Sequence, residues 1–415
     1  MLKGLLWGVR GVGILLLSLL LIRTHCGTPA PENSSSLVRH TLPVLRNLER
    51  RNQEGADAEM QRYFPEGYVF MHAVPALAWI DLGLAHPPGH PLRKEARTKA
   101  LQAVAAMDSP EGTAVFTRSM DPPYGIFHAG WSNHLRVGAL WLQAPSERDG
   151  AELAALAETC DRIAGAFERA DTPFLQAYPG TAWPVDNVVA ISSLPMCGEL
   201  TGRDYQLVIN DWLAQAKEKA VPDYGVLPHG DFSGERQPRG TSLTLMTRFL
   251  HEVDPDWARQ HYDVLREYFW NTLAGFPAVQ EYVDGRSEGD VDSGPLVWGV
   301  SFSATVVGAG SATLYGDHRL AGSVFGLGEV VGLPWGITEK SYGLGLLPVG
   351  DAFVVWAKTA RPWRQEPKRV EAPIGIPPWW WRLPWEGPGW VLVLLLLVGL
   401  RTPLKWVEKY GPFQR

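Results

Sequence analysis

The chain has 415 residues and a formal net charge of −6 at pH 7. An acidic chain with no basic patch and no zinc-finger spacing is not typical of a nucleic-acid-binding protein, so we expect no nucleic-acid partner. No G-x-x-x-x-G-K-[ST], no strand-linked G-x-G-x-x-G, no G-x-S-x-G and no HExxH pattern occurs. We therefore expect neither a nucleotide cofactor nor a catalytic metal ion, and no serine hydrolase of the nucleophile-elbow type.

The first element is a predicted membrane anchor over residues 1–24. Its uncharged run from Gly11 to Ile22 is short for a span but suits a signal core. No small-residue cleavage site follows, so we expect the segment to remain attached. An amphipathic stretch from Leu37 to Gln53 comes next and opens a domain predicted to extend over residues 37–361.

Six similar segments recur through this domain. Each begins with a Gly- or Pro-marked loop that carries polar and aromatic residues, and each continues as an apolar helix of small side chains. A recurring supersecondary unit of this kind usually determines the architecture. The six segments are Pro65 to Gly83, Tyr124 to Leu142, Tyr178 to Leu194, Pro238 to Val253, Ser293 to Ala312 and Tyr342 to Lys358.

Charged amphipathic stretches separate the segments, which predicts apolar inner helices alternating with half-charged outer helices. The outer stretches are Leu92 to Ala106, Ala151 to Ala170, Asp204 to Ala220, Pro255 to Leu273 and Asp317 to Val331. Only five outer stretches follow the six inner segments. Leu37 to Gln53 is therefore predicted to supply the sixth outer helix and to close a ring of hairpins beside the sixth inner segment. We expect an all-α fold, an (α/α)6 toroid of six helical hairpins. A rival interpretation makes the uncharged stretch Gly294 to Gly316 a third membrane span, but its place among six similar segments favours the inner wall.

The C-terminal region predicts a second membrane attachment. Residues 362–386 are rich in Pro and Trp and are predicted to form a stalk, and residues 387–404 a transmembrane helix with Trp residues before it. Lys and Arg flank both spans on their outer sequence ends. The positive-inside rule then places both termini in the cytoplasm and the main domain outside it, in a periplasm or at a cell surface.

The most specific local pattern is the start of the third segment. Pro184 suits the first turn of a helix, which places Asp186 and Asn187 at the mouth of the ring. Asp186 is therefore a candidate catalytic carboxylate, although a carboxylate at a helix start also simply complements the helix dipole. Trp183, Tyr178 and Asn187 are candidate substrate contacts beside it.

A second cluster is the acidic loop from Asp284 to Gly294. Carboxylates this close repel one another, so one of them is a candidate for a raised pKa and a role as general acid. A calcium site is a second solution, although the spacing does not match the helix-loop-helix calcium motif, and a solvated acidic loop is the ordinary alternative. Asp292 is the leading candidate because it is predicted to adjoin the fifth inner helix, and Asp290 is a candidate substrate contact. We expect Asp292 to act as the acid and Asp186 as the base.

Further candidates line the other predicted loops, although a core or loop role is the more ordinary one for each His and Trp. Glu66, Asp231 and His128 are reserve catalytic groups. The remaining candidate substrate-binding residues are Tyr68, Tyr124, Trp131, His134, Arg239 and Trp298. Cys160 and Cys197 are expected to be buried thiols, and a bridge cannot be assigned from their spacing.

The repeat pattern and the carboxylates in the inner-helix loops resemble the six-hairpin (α/α)-barrel superfamily over residues 37–361. That superfamily includes glycoside hydrolases, polysaccharide lyases, sugar epimerases and enzymes of the linalool dehydratase/isomerase type. The segment AYPGTAWPVDNVV also resembles the active-site segment of the last group, but it lacks the catalytic cysteines found there. No residue role is carried over from these families.

Three functions follow from this resemblance. The first is a membrane-tethered enzyme that cleaves a carbohydrate by acid–base catalysis between paired carboxylates. The second is a lyase or isomerase acting on a small apolar alcohol. The third is a non-catalytic toroid that binds a glycan or a partner. We expect a carbohydrate or small-molecule substrate and a membrane partner.

Overall fold

The structure, a computed structural model, describes residues 2–25, 34–232, 234–273, 276–371 and 383–401. The described part contains sixteen α-helices and one three-stranded sheet, so the predicted all-α class is confirmed apart from that sheet. The helices are α1 (Leu2–His25), α2 (Ser34–Gln53), α3 (Ala56–Tyr63), α4 (Gly67–Leu84), α5 (Pro91–Met107), α6 (Pro110–Thr113), α7 (Gly125–Trp141), α8 (Gly150–Arg169), α9 (Pro184–Thr201), α10 (Gln206–Glu218), α11 (Gly240–Leu250), α12 (Pro255–Val264), α13 (Phe302–Leu314), α14 (His318–Val331), α15 (Pro348–Thr359) and α16 (Leu383–Arg401).

The six repeated segments form the buried helices α4, α7, α9, α11, α13 and α15. Each of these helices contacts the next one in this order, and α15 contacts α4. Small residues bring the helices close together, since a Cβ added to Gly130 of α7 would meet Ala190 of α9 at 2.9 Å. Apolar residues on nearly every face of these helices explain why they lie inside the domain.

The amphipathic stretches form helices packed outside the buried ones. Asp149 caps α8 by accepting hydrogen bonds from the backbone N–H groups of Ala151 and Glu152. Helix α2 packs against α15 and α4, and Arg51 donates to the carbonyl of Gly345. The predicted position of Leu37 to Gln53 beside the sixth segment is therefore confirmed.

The buried helices run in parallel. Their N-terminal ends bring Glu66, which precedes α4, close to Tyr178 in the loop before α9. Their C-terminal ends bring together Asp81 of α4, Arg248 of α11 and Thr359 of α15. Loops that precede the buried helices consequently meet at one end of the domain.

The fifth segment differs from its prediction. Helix α13 begins at Phe302 rather than near Ser293, because the preceding chain forms strands β1 (Trp270–Leu273), β2 (Phe276–Gln280) and β3 (Val300–Ser301). The strands pair antiparallel in the order β1-β2-β3, with Val279 opposite Ser301. The last residues of the predicted outer stretch Pro255 to Leu273 are thus a strand. Helix α13 packs among the buried helices, which argues against the interpretation of Gly294 to Gly316 as a membrane span.

The first part of the predicted stalk lies on the domain instead of leaving it. Trp363 donates its ring N–H to Asp81, and its backbone N–H donates to Glu252. Val370 donates its backbone N–H to the carbonyl of Tyr315. Residues 362–371 therefore form a strap across the C-terminal ends of the buried helices, while residues 372–382 of the predicted stalk lie outside the described residues.

Two described helices are long and apolar enough to cross a membrane. The stretch Gly4–Ile22 of α1 has a mean hydropathy of 2.2 and is only 6% buried, whereas Gly67–Leu84 is 78% buried and is the core helix α4. The apolar stretch of α16, Glu386–Gly399, is shorter. Helices α1 and α16 pack antiparallel, because Leu21 lies against Gly389 and Arg10 donates to the carbonyl of Gly399. The end of the predicted second span, residues 402–404, lies outside the described part.

Candidate active site

Three acidic side chains and a tyrosine meet where the loops before the buried helices converge. Glu66 is the residue before α4, and the hydroxyl of Tyr178 donates to its Oε1 at 2.5 Å. The charges of Glu66, Asp186 and Asp292 all raise the pKa of Tyr178, after the larger effect of its burial. This mutual influence places the four groups in one cluster, which we call the carboxylate cluster.

Asp186 is the most deeply buried carboxylate of this cluster. It lies in the first turn of α9, whose first residue is Pro184, and only 8% of its surface is exposed. Burial raises its pKa well above the ordinary carboxyl value, and the negative charges of Glu66 and Asp292 raise it further. Its side chain forms no hydrogen bond or ion pair with the described residues. Because its carboxyl oxygens keep slight access to solvent, the group is placed to meet a ligand at the mouth.

Asp292 reaches the cluster from a different position than expected. It does not adjoin the fifth inner helix, because α13 begins only at Phe302, and the loop before β3 carries it instead. Its side chain is 51% exposed, and its Oδ2 lies 3.5 Å from Nε2 of His229. Although half of the side chain is exposed, the protein atoms around its carboxyl group partly desolvate it, and this effect together with the charge of Asp290 raises its pKa to about 6.

These electrostatic effects reverse the expected roles of the two aspartates. The pKa of Asp186 is raised by near-complete burial and by two negative neighbours, with no cation among the causes. The nearby guanidinium of Arg239 lowers the pKa of Asp292, which moderates the rise. Asp186 is therefore the better candidate for a protonated acid at neutral pH, and Asp292 for an ionised base or nucleophile. The helix dipole favours ionised Asp186, but desolvation is the stronger effect at this depth.

Arg239 holds the acidic loop in place rather than facing a substrate with all its donors. Its Nη1 donates to Asp290 at 2.6 Å, and its Nε donates to Glu281 at 2.7 Å. Arg239 also keeps the pKa of Asp290 far below its usual range, together with hydrogen bonds from Ser293. Asp290 is consequently an ionised partner of Arg239, and Nη2 of Arg239 has no hydrogen-bond partner among the described residues.

His229 is a site residue that sequence reasoning did not single out. Nη1 of Arg239 lies 3.2 Å from Nε2 of His229, and a guanidinium can only donate, so Nε2 is the unprotonated nitrogen. The other nitrogen, Nδ1, then donates to Oγ of Ser242 at 2.5 Å. Burial and the charge of Arg239 lower the pKa of His229 to about 3, so the ring is neutral at pH 7. Nothing in the surrounding sequence HGDFSGER predicted contact between His229 and Asp292.

Asn187 and Trp183 shape the mouth. The amide of Asn187 bonds to the backbone N–H and carbonyl of Leu175 and to the carbonyl of Trp183, and the residue is fully buried. Asn187 therefore fastens the loop and has no group left to contact a ligand. The ring of Trp183 packs edge-on against Tyr178 and against Phe232, which places an aromatic wall beside the cluster.

Two predicted substrate contacts lie in the core. Trp131 is 2% exposed and packs against Phe70 and Phe249, so it cannot stack on a ligand at the mouth. His134 stacks on Trp363 of the strap, and burial lowers its pKa to about 3. Both residues were expected to line the loop region of the second inner helix, but their positions along α7 face other helices.

The remaining candidates lie outside the carboxylate cluster. His128 is buried, its Nε2 contacts the carbonyl of Met107, and its burial lowers its pKa. The ring of Tyr124 lies beside His128, and the ring of Tyr68 lies beside His72. Trp298 is 77% exposed.

Asp231 borders a cleft of about 390 Å³ beside the cluster. The cleft is lined by Met120, Asp121, Thr172, Phe174, Leu175, Gln176, Gly180, Ala182, Asp231 and Phe232. The carboxylate of Asp231 lies 3.5 Å from Arg236, so this charge is paired. The loop that carries Tyr178 and Trp183 contributes to its lining, which does not include the three carboxylates. We regard it as a neighbouring feature because the unpaired acidic groups lie elsewhere.

In the described part of the chain, no group of three or more His, Cys, Asp or Glu side chains is arranged to hold a metal ion. Comparison of the chain with protein-family models and with curated protein sequences gives no match. Any function must therefore be argued from the site itself.

Proposed function

We propose that residues 34–371 form an (α/α)6 toroid of the six-hairpin type. The cyclic contacts of the six buried helices, and the place of α2 beside α15 and α4, support this architecture. We further propose that α1 and α16 cross a membrane with both termini in the cytoplasm. Their antiparallel packing puts the two chain ends on the same side, as the Lys and Arg residues at the ends of the chain also indicate.

We propose that the protein is a membrane-tethered, extracytoplasmic enzyme that cleaves a glycosidic bond. The observation that carries this proposal is the buried, unpaired carboxyl of Asp186 beside Glu66 and Asp292. Glycoside hydrolysis requires one carboxyl group that holds a proton at working pH and a second that is ionised. Burial and like charges supply the first at Asp186, and the more exposed Asp292 supplies the second.

In this mechanism Asp186 donates its proton to the oxygen of the leaving group. Asp292, ionised above pH 6, either takes a proton from the attacking water or attacks the sugar carbon itself. Tyr178 fixes the orientation of Glu66 through its hydrogen bond, and the negative charge of Glu66 favours the protonated form of Asp186. Trp183 provides an apolar face on which a sugar ring can stack.

The alternatives are a lyase or isomerase and a binding toroid. If the protein were only a binding toroid, we would expect cations to neutralise its acidic groups. Asp231, Asp284 and Asp290 do form ion pairs with arginines. This expectation does not fit Asp186, which has no such partner. A lyase or isomerase acting on an apolar alcohol needs a closed apolar pocket, whereas Asp292 is half exposed.

The test uses the full-length protein in detergent against a panel of aryl glycosides and envelope-derived polysaccharides. Asp186→Asn and Asp292→Asn are expected to lower kcat by about 10²–10⁴-fold, the usual contribution of a general acid or base. Asp284→Asn is the matched control, because Asp284 lies in the same loop and forms an exposed ion pair with Arg286. Near-normal turnover of both site variants would remove the catalytic assignment.

A further inference from the structure

Cys160 of α8 and Cys197 of α9 meet in the interior of the domain. Both side chains are fully buried. Burial raises the pKa of Cys160 and Cys197 raises it further, while Cys160 lowers the pKa of Cys197, so the two thiols are neighbours. The hydroxyl of Tyr205 locates the contact independently. It lies 3.9 Å from Sγ of Cys197, 2.8 Å from Oδ1 of Asp161 and 3.5 Å from the carbonyl of Ala157. The sulfur of Cys197 therefore lies against the turn of α8 that carries Cys160.

We propose that Cys160 and Cys197 form an intramolecular disulfide in the mature protein. This inference rests on the extracytoplasmic location proposed above, because structural disulfides persist in oxidising compartments. The two thiols lose two protons and two electrons as the S–S bond forms. The disulfide of an extracytoplasmic thiol oxidoreductase accepts the electrons and the protons and becomes two thiols. Since both sulfurs are inaccessible once the helices have packed, the exchange takes place during folding.

The bond would join an outer helix to the inner helix whose first turn carries Asp186. It would close a loop of about 37 residues. Closing a loop of this length lowers the entropy of the unfolded chain and raises the folding equilibrium constant on the order of 10²- to 10³-fold. The disulfide would thus stabilise the position of the candidate acid without entering the chemistry.

The experiment counts free thiols in the full-length chain. The chain contains three cysteines, so a Cys26→Ser background leaves only the proposed pair. Cells are quenched in acid to prevent later oxidation, and the denatured protein is alkylated with N-ethylmaleimide before and after reduction. We expect no adduct before reduction and two after it, as measured by mass spectrometry of the intact protein. In the same background, Cys160→Ser is the control and should give one adduct in both cases.

Two adducts before reduction would overturn the proposal. An alkaline phosphatase fusion after Glu371 then separates the causes. If the fusion is active and the thiols are free, the disulfide inference alone is wrong. If the fusion is inactive, the proposed extracytoplasmic location of the domain is wrong, and the disulfide inference, which depends on that location, is wrong for the same reason. The glycosidase assay is independent of both results, because it measures the effect of Asp186→Asn on turnover.

Discussion

Replacing Asp186 by Asn should make the folded protein more stable at neutral pH. The carboxyl of Asp186 is buried without a partner among the described residues, and Glu66 and Asp292 add negative charge beside it. The amide of Asn has almost the same shape and cannot ionise. Active-site groups are often held at the expense of stability. Because the folded carboxyl is proposed to keep its proton up to neutral pH, about three pH units at about 1.4 kcal/mol each give the variant a gain of about 4 kcal/mol near pH 7.

The pH dependence follows from the direction of the pKa shift. The pKa of Asp186 is raised in the folded state, so the folded protein keeps this proton at pH values where the unfolded chain has lost it. As the pH rises above about 4, the free energy of unfolding therefore falls, by up to about 1.4 kcal/mol per pH unit until the folded carboxyl ionises. The Asp186→Asn variant keeps Asn187 and the rest of the loop, but its new side chain cannot ionise. Its free energy of unfolding therefore does not fall in this way as the pH rises. The advantage of Asp186→Asn should be absent near pH 4 and largest near pH 8.

Thermal unfolding in detergent, followed by tryptophan fluorescence, measures this difference. For a packed body of about 340 residues the unfolding entropy is about 0.7 kcal/mol per K, so a gain of about 4 kcal/mol corresponds to a rise in Tm of about 6 °C. Glu252 and Asp351, whose pKa values burial raises to about 7, add their own pH dependence, which cancels in the comparison with the parent protein. Asp284→Asn should change Tm little at any pH. If Asp186→Asn has an unchanged or lower Tm at pH 8, the reasoning about Asp186 is refuted.

Three further predictions concern the topology and the strap. Alkaline phosphatase fused after Glu371 should be active and a fusion at Arg415 inactive, since only the first lies outside the cytoplasm; the opposite activities would contradict the topology. Asp81→Asn should lower the free energy of unfolding by about 3–5 kcal/mol in thermal or denaturant unfolding, because it leaves the buried guanidinium of Arg248 without its charge partner. Adding Arg248→Met should restore part of that loss, and additive losses would show that the two side chains are not coupled. Trp363→Ala should cost about 3 kcal/mol by removing the strap's main anchor, and an unchanged Tm would mean that the strap is not part of the folded domain.

Local sequence signals were sufficient for several features. The small, apolar segments recur at regular spacing, so the six buried helices and the amphipathic helices between them could be placed from periodicity. Pro184 marked the start of α9, and this placed Asp186 in its first turn. The cap of α8 is a signal of the same local kind, because Asp149 bonds to residues only two or three positions away.

The candidate site could be predicted only in part, because its members come from distant parts of the chain. Glu66 and Tyr178 form their hydrogen bond across 112 residues, and no local pattern indicates that pairing. Asp292 was selected for adjoining a helix, yet it reaches the cluster from the loop before β3. The burial of Trp131 and the backbone hydrogen bonds of Asn187 likewise depend on neighbouring helices.

The sequence by itself determined the order and kind of the buried helices and of the amphipathic helices around them, since these follow from short-range periodicity and capping; the short helices α3 and α6 were not predicted. Only the tertiary structure decided which carboxyl group is the better acid. Protonation depends on desolvation and on charges that arrive from other helices, and these effects gave Asp186 the more strongly raised pKa. The position of residues 362–371 was likewise decided by the tertiary structure. Their Pro- and Trp-rich composition is typical of a stalk, but Trp363 finds a buried carboxylate at Asp81 and holds the segment against the domain.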